Sequence, residues 1–349
     1  MDEELHEPHT HETLLHAGLA FCVIVSFAMF YVVVVYPGQS SETTNQPPPQ
    51  TALALQVVTV PAESSAPTAP VAPVVKKAAD ILFVGDMFFD RHIRQVAEAE
   101  GGDYVFSCVD PLLQSADFVI GNLEGPITSN ASVSVGTVVG SANNYRFTFA
   151  TTTAMLLARH SLKAVSLGNN HIENFGMSGL LQTHTYLDAA GVGYFGGVLG
   201  NEPVYRTDDG GIALSFVGYN QFGGSSPAHV ALTILEERAA GRVVIVFAHW
   251  GTEYSTTTAQ TRPIATLFAE SGANAIIGSH PHVVGVHEYI GSTLVYYSLG
   301  NFIFDQYFSD AVMHGLAVAL HITGDGTVTA TEYPTKLERD GRTCPQLLK

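Results

Sequence analysis

Cysteine is scarce in this 349-residue chain, with three residues, Cys22, Cys108 and Cys344. Cys22 lies in an apolar run, so two remain, too few for a disulfide framework or a thiolate metal cluster. Whether Cys108 and Cys344 pair is left open. Basic residues are also few: 15 Lys and Arg stand against 32 Asp and Glu, a formal net charge of −17. A surface that neutralises phosphates needs a basic footprint, so nucleic acid is not an expected partner. The chain lacks a Gly-x-Ser-x-Gly elbow and a Walker A loop, and "HETLLH" at 11–16 spaces its histidines by five instead of four. Serine-elbow, P-loop and zincin chemistries therefore drop out. No internal repeat is present.

Charge is missing altogether from Ala17 to Tyr36, "AGLAFCVIVSFAMFYVVVVY". A run of roughly 20 apolar residues matches the hydrocarbon thickness of a bilayer and predicts a transmembrane helix. The leader "MDEELHEPHTHETLLH" has no Lys or Arg, unlike a cleaved signal peptide, so the span is expected to stay as an anchor. The nearest following basic residues, Lys76 and Lys77, are too distant to set its orientation. Between them, "PGQSSETTNQPPPQ…PAESSAPTAPVAPVVKK" is rich in Pro, Ala, Ser and Thr and reads as an extended linker. The expected organisation is an acidic tail over 1–16, the span over 17–36, a linker over 37–78, a folded domain over 79–340 and a tail over 341–349.

Within the folded part, "ILFVG", "FVIGN", "AVSLG", "ALSFVGY", "VVIVFA", "AIIG", "TLVYYSLG" and "LAVALHI" read as strands, most of them apolar on both faces. "RHIRQVAEAE", "TTAMLLARHS", "SGLLQTHTYLDAAG" and "RPIATLFAESG" have helical spacing, three of them stopping at or near a Gly. This alternation predicts an α/β layered domain.

The polar residues that follow the strands carry the chemistry. "ILFVG" leads to Asp86, "DFVIGNL" to Glu124, "AVSLGN" to Asn170 and His171, "VVIVFA" to His249, and "AIIGS" to His280 and His282. Open α/β sheets bind ligands outside the carboxyl ends of their strands, so these side chains are expected at one shared edge. Carboxylate, amide and imidazole donors without thiolate suit Mn, Fe or Zn, one or two ions, and do not choose among them. Pro281 disfavours the helical region for His280, so an extended His280–His282 would point both rings the same way. Any one of these residues alone is as well explained as a hydrogen-bonded strand end. Glu253 and Asp305 also follow strands and are candidates to orient ligand imidazoles. Trp250 and Tyr254 either pack or shape a cleft, and Arg91 either binds an anion or caps a carboxylate.

Taken in order, "GDMFFDR", "IGNLEGPIT", "SLGNNHIENFG", "AHWGTEY", "GSHPHVV" and "YSLGNFIFDQ" resemble the blocks of the CapA/PgsA capsule-synthesis family over roughly residues 80 to 340. The resemblance implies a four-layer α-β-β-α sandwich similar to calcineurin-like metallophosphoesterases, and a part in poly-γ-glutamate capsule synthesis or export. It implies metal ligation by Asp86, Glu124, Asn170, His249, His280 and His282, with His171 as an acid beside the metals. Asn169 and Asn301 lie in the same blocks and are expected in supporting or substrate-facing positions. Two departures stand out. The phosphoesterase Asp-x-His has Phe88 in place of its histidine here, and Asn174 stands where the family often has an Asp.

A centre of this kind polarises phosphoryl and carbonyl oxygens alike, so a hydrolase or a transferase is expected, with the reaction left open. The rival expectation is a non-catalytic scaffold or polymer-binding subunit of a capsule complex. Expected partners are the bilayer through 17–36, capsule synthase or export subunits, and an anionic polymer. The resemblance places the N-terminus in the cytoplasm and the C-terminal domain outside the membrane.

Overall fold

The computed structural model describes residues 78–198, 204–224 and 226–346. The expected acidic tail, the span over 17–36 and all but the final residue of the linker lie outside these residues. Among the described residues no helix is long and apolar enough to cross a membrane.

Fourteen strands are described. They are β1 (Ala79–Met87), β2 (Phe118–Leu123), β3 (Leu162–Ser166), β4 (Gly193–Phe195), β5 (Tyr205–Asp209), β6 (Ile212–Asn220), β7 (Val243–His249), β8 (Ala275–Ser279), β9 (His287–Ile290), β10 (Thr293–Tyr296), β11 (Asn301–Ile303), β12 (His314–Ile322), β13 (Val328–Leu337) and β14 (Thr343–Pro345). One sheet has the order β14-β13-β12-β1-β2-β3-β4, with β11 also beside β1; the other runs β5-β6-β7-β8-β10-β9. The central pairs β1–β2, β2–β3, β6–β7 and β7–β8 are parallel, and antiparallel pairs form toward the edges.

Alternation along the strands builds the layers, because successive side chains leave a strand on opposite faces. In β1, Ile81 and Phe83 enter one buried cluster while Leu82 and Val84 enter another. In β7, Val243, Ile245 and Phe247 join Ile81 and Phe83, whereas Val244, Val246 and Ala248 face a third cluster. The shared cluster therefore lies between the two sheets, where the Phe83 and Phe216 rings sit 6.2 Å apart. Truncating Phe83 to Ala there should cost about 3–5 kcal/mol.

Helices cover the outer faces. Helices α1 (Arg91–Glu100), α2 (Thr153–Arg159) and α3 (Gly176–Ala190) bury Ile93, Leu156, Leu157, Leu180 and Leu187 against the first sheet. Helices α4 (Pro227–Ala239) and α5 (Arg262–Glu270) bury Val230, Ile234, Ala265 and Phe268 against the second. The result is a mixed α/β sandwich, as expected. Helix α4 is absent from the expected elements, although Ser226 caps it by accepting from the His229 amide and Pro227 opens it, both standard start signals.

Two features extend past the expected boundary at 340. Thr343–Pro345, within the stretch read as a tail, pairs with β13 as an edge strand. Cys344 on that strand is disulfide-bonded to Cys108, which settles the pairing left open by the sequence.

Candidate metal centre

The first sheet supplies oxygen donors. Asp86 is the penultimate residue of β1, and Glu124 follows β2; Asn122, the penultimate residue of β2, lies beside them, and all three are fully buried. Asn122 Nδ2 donates to Asp86 Oδ1 at 2.8 Å and also to Glu124 Oε2, so one amide holds two carboxylates together. Its Oδ1 accepts from Asn169 Nδ2 at 3.1 Å, and Asn169 Oδ1 accepts from the His171 amide at 3.0 Å. Asn169 therefore fixes the loop that carries Asn170 and His171. Gly85, just before Asp86, permits a close approach: a Cβ there would lie 1.9 Å from the Gly300 carbonyl oxygen. That approach brings β11 and Asn301 alongside.

The second sheet supplies nitrogen donors. His249 ends β7, and its Nδ1 lies 2.9 Å from Ser279 Oγ on β8. His280 and His282 follow β8 and both reach the site, with ring centroids 6.0 Å apart, but by a different backbone route from the one expected. Neither is extended: His280 has φ 94° and His282 φ 58°. Pro281 excludes the helical region for His280, and the chain enters the left-handed side of φ instead of the extended one. Among the described residues five non-glycine residues have positive φ, and four of them, Arg91, Tyr254, His280 and His282, line the site or the cleft beside it. Backbone strain held at one place in this way is typical of a functional site.

The two halves meet. His249 Nε2 lies 2.9 Å from Asn170 Oδ1, 3.2 Å from His280 Nδ1 and 3.5 Å from Glu124 Oε1. Asp86 Oδ2 lies 3.1 Å from His282 Nδ1, and also accepts from the His280 amide at 3.3 Å. Donor atoms of Asp86, Glu124 and His249 all fall within 4.8 Å of one another, close enough to hold a metal ion. Glu124 Oε1 is buried and has no hydrogen-bond partner. An unpaired buried carboxylate oxygen is costly, and a cation between Glu124 and His249 would satisfy it.

The protonation states fit the same reading. Burial, then the neighbouring Asp86 carboxylate, pushes the Glu124 carboxyl well above its usual range. Burial, then the charges of His280 and His282, holds His249 well below the usual imidazole range. Burial also takes His280 down to about 4. The His249 and His280 rings are therefore neutral near pH 7, as a metal ligand must be, and a cation would offset the burial that raises Glu124.

His171 sits at the margin of this cluster, its ring 4.3 Å from Phe147. Burial, opposed by its bond to Asn174 and reinforced by His282, His280 and Arg91, brings its pKa to about 3. Asn174 Oδ1 accepts from the Phe147 amide at 2.7 Å, which identifies it as the oxygen, and lies 3.3 Å from His171 Nδ1. Nδ1 therefore carries the proton and Nε2 carries the lone pair.

The remaining candidates divide. Asn301 Oδ1 lies 3.0 Å from His282 Nδ1 and orients that ring, as expected of a supporting group. Asp305 touches no imidazole; it clamps Arg91 through bonds of 2.5 Å to Nη2 and 3.1 Å to Nε. Arg91 caps this carboxylate, with its guanidinium 4.5 Å from the Phe88 ring centroid. Glu253 is exposed and acts on the site through its charge, which contributes to raising Glu124. Trp250 is buried packing, its Nε1 donating to the Tyr297 carbonyl at 3.0 Å. Phe88 lies in an aromatic cluster with Phe147 and Phe304, so no donor replaces the histidine of Asp-x-His there.

The family model of the bacterial capsule synthesis protein PGA_cap matches residues 80–306, the stretch that contains every donor named above. The chain belongs to this family. It is 27% identical over 265 residues to the PGA biosynthesis protein CapA of Bacillus subtilis (strain 168), covering 70% of this chain and 68% of that one. It is 26% identical over 296 residues to the capsule biosynthesis protein CapA of Bacillus anthracis, covering 78% and 71%. Among solved structures, GAP50, the anchor in the inner membrane complex of Plasmodium, matches with a TM-score of 0.35 at 9% identity, covering 73% of this chain and 88% of that one. A likeness that distant supports no statement about this chain.

Proposed function

We propose that this chain is a membrane-anchored capsule synthesis protein of CapA type, acting in poly-γ-glutamate synthesis or export through a divalent-metal centre between its two sheets. Membership of the family supports the capsule role. The observation that carries the metal centre is the convergence of Asp86, Glu124 and His249 with Glu124 Oε1 left unpaired. The layering supports a four-layer metallophosphoesterase-like domain as the scaffold.

Asp86, Glu124, Asn170, His249, His280 and His282 would hold the metal. Asp86, Glu124 and His249 come within reach of one ion, with Asn170 and His280 beside His249, whereas His282, next to Asp86, would hold a second ion less well because Phe88 contributes nothing. One tightly held ion and a weaker second one follow. When bound, a divalent ion supplies Lewis-acid polarisation of a phosphoryl or carbonyl oxygen. His171 would be the proton-transfer group beside the ion, the acid that the resemblance implies once Nε2 carries a proton. A hydrolase or transferase acting on a γ-glutamyl or phosphoester bond fits these groups. Phe88 and the uncharged Asn174 favour the second reading, a scaffold or polymer-binding subunit that keeps the fold without turnover.

The Cys108–Cys344 bridge supports a domain outside the cytoplasm, since disulfides persist in oxidising compartments. Residues 17–36 then anchor it with the N-terminus in the cytoplasm, beside the capsule synthase and export subunits.

The test is elemental analysis of purified protein combined with assays on γ-glutamyl and phosphodiester substrates, with His282→Ala as control. Stoichiometric Mn, Fe or Zn and metal-dependent turnover lost in the variant support the enzyme. A folded, metal-free protein without turnover leaves the scaffold.

A further inference from the structure

Beside the metal centre a cavity of about 290 Å³ opens between the loop after β2, the start of α1 and the segments after β7 and β11. That is near the lower end of small-ligand sites. Its rim carries three rings held out to solvent, Tyr145 (50% exposed), Tyr254 (48%) and Phe308 (66%). Tyr254 links it to the centre, its ring 6.1 Å from that of His282 and 5.2 Å from that of Phe308. Exposed rings in one place, around a concave surface, are unusual in a surface that has no ligand.

The polar lining is mostly uncharged. The Gln95 amide offers both a donor and an acceptor; Gln306 already gives Nε2 to Tyr254 and accepts from Asn301, keeping one N–H and one lone pair, and buried Asn144 is taken up by Thr137 and Arg91. Its one guanidinium is already used: Asp305 takes Arg91 Nε and Nη2, and Nη1 lies 3.4 Å from the Asn144 carbonyl and Oδ1. The pair cancels in charge, and Glu253, next to Tyr254 in sequence, adds an exposed negative charge. Apart from the His92 imidazole, whose Nε2 lies 3.2 Å from the Arg339 carbonyl, a polycarboxylate would meet no cation that is not already paired, and at least one like charge. A pyranose ring has what these walls match: flat C–H faces for the aromatic rings and neutral hydroxyls for the amides.

We infer that this cavity is a binding subsite for a neutral sugar ring of a glycan strand, stacked on Tyr254 and Phe308 and hydrogen-bonded by Gln95 and Gln306. The subsite deepens the reading of the metal centre, on which it depends for what is done to the bound chain but not for the binding itself. Arg91 and Asp305 are positioning residues, tying the two walls together.

The test is an NMR titration of the full chain, metal-loaded and in a non-glycosidic detergent, with cellotetraose, an N-acetylglucosamine tetramer and a γ-glutamyl tetramer. The expected result is saturable binding of one or both sugar tetramers, weakened roughly twofold to tenfold by Tyr254→Ala and by Phe308→Ala. Phe308 is mostly exposed, so its variant keeps the test usable if Tyr254→Ala does not fold. The inference is overturned if neither sugar binds, if binding is unmoved by the variants, or if Phe308→Ala weakens binding of the γ-glutamyl tetramer instead. The same titration on His282→Ala protein stripped of metal separates the two claims. Sugar affinity that survives leaves the subsite standing whatever becomes of the metal centre, and affinity that vanishes places the sugar on the ion and overturns the subsite.

Discussion

The two sheets bring opposite chemistry to their shared edge. The first contributes oxygens, from Asp86, Glu124 and Asn170, braced by Asn122 and Asn169; the second contributes imidazoles, from His249, His280 and His282. Each half is held away from its preferred ionisation by burial: Glu124 is pushed up, His249 and His280 are pushed down. A cation relieves both at once, giving the carboxylate a counter-charge and the neutral rings a use for their lone pairs. On the proposed reading, the difference between the halves means that neither would hold a metal ion alone.

Removing one ligand from either half should have the largest effect. His249→Ala and Glu124→Ala are each expected to weaken metal affinity more than roughly 100-fold, beyond what loss of a supporting group does, as read by competition with a chelator. Equal losses from both sides support a shared ion; a loss from one side only would break the comparison. Asn122→Ala, which removes the bracing of the oxygen half and a 3.4 Å contact to His249 Nδ1, should cost about 10- to 100-fold.

The halves should also separate by pH in metal-free protein. His280 has a folded pKa of about 4, below its unfolded value, so its contribution is fully present above about pH 6.5 and is lost as pH falls toward 4. Glu124 is raised, so its contribution has the opposite sign and improves as pH falls. Melting temperature against pH should therefore fall between about 6.5 and 4, less steeply in His280→Ala and more steeply in Glu124→Gln. The size is at most about 3 kcal/mol for His280.

Much of this was legible in the sequence. Apolar strands ending in Asp86, Glu124, Asn170, His249, His280 and His282 placed those side chains at one edge, and the structure gathers them there. Local pattern does not reach contacts between distant segments: Arg91 and Asp305 are 214 residues apart, and nothing near Arg91 says that its charge is already taken. Asn122 was missed although a signal existed, since a residue two before Glu124 on a strand shares its face. The backbone at His280 was misjudged because Pro281 excludes one region of φ/ψ without choosing among the rest.

X-ray absorption at the edge of the bound metal tests the central claim most directly, on stoichiometrically loaded protein and on His249→Ala. A shell of oxygen and nitrogen atoms with outer scattering from imidazole, reduced in the variant, is the predicted result. An all-oxygen shell, or a spectrum that the variant leaves unchanged, would contradict an ion shared between the two sheets.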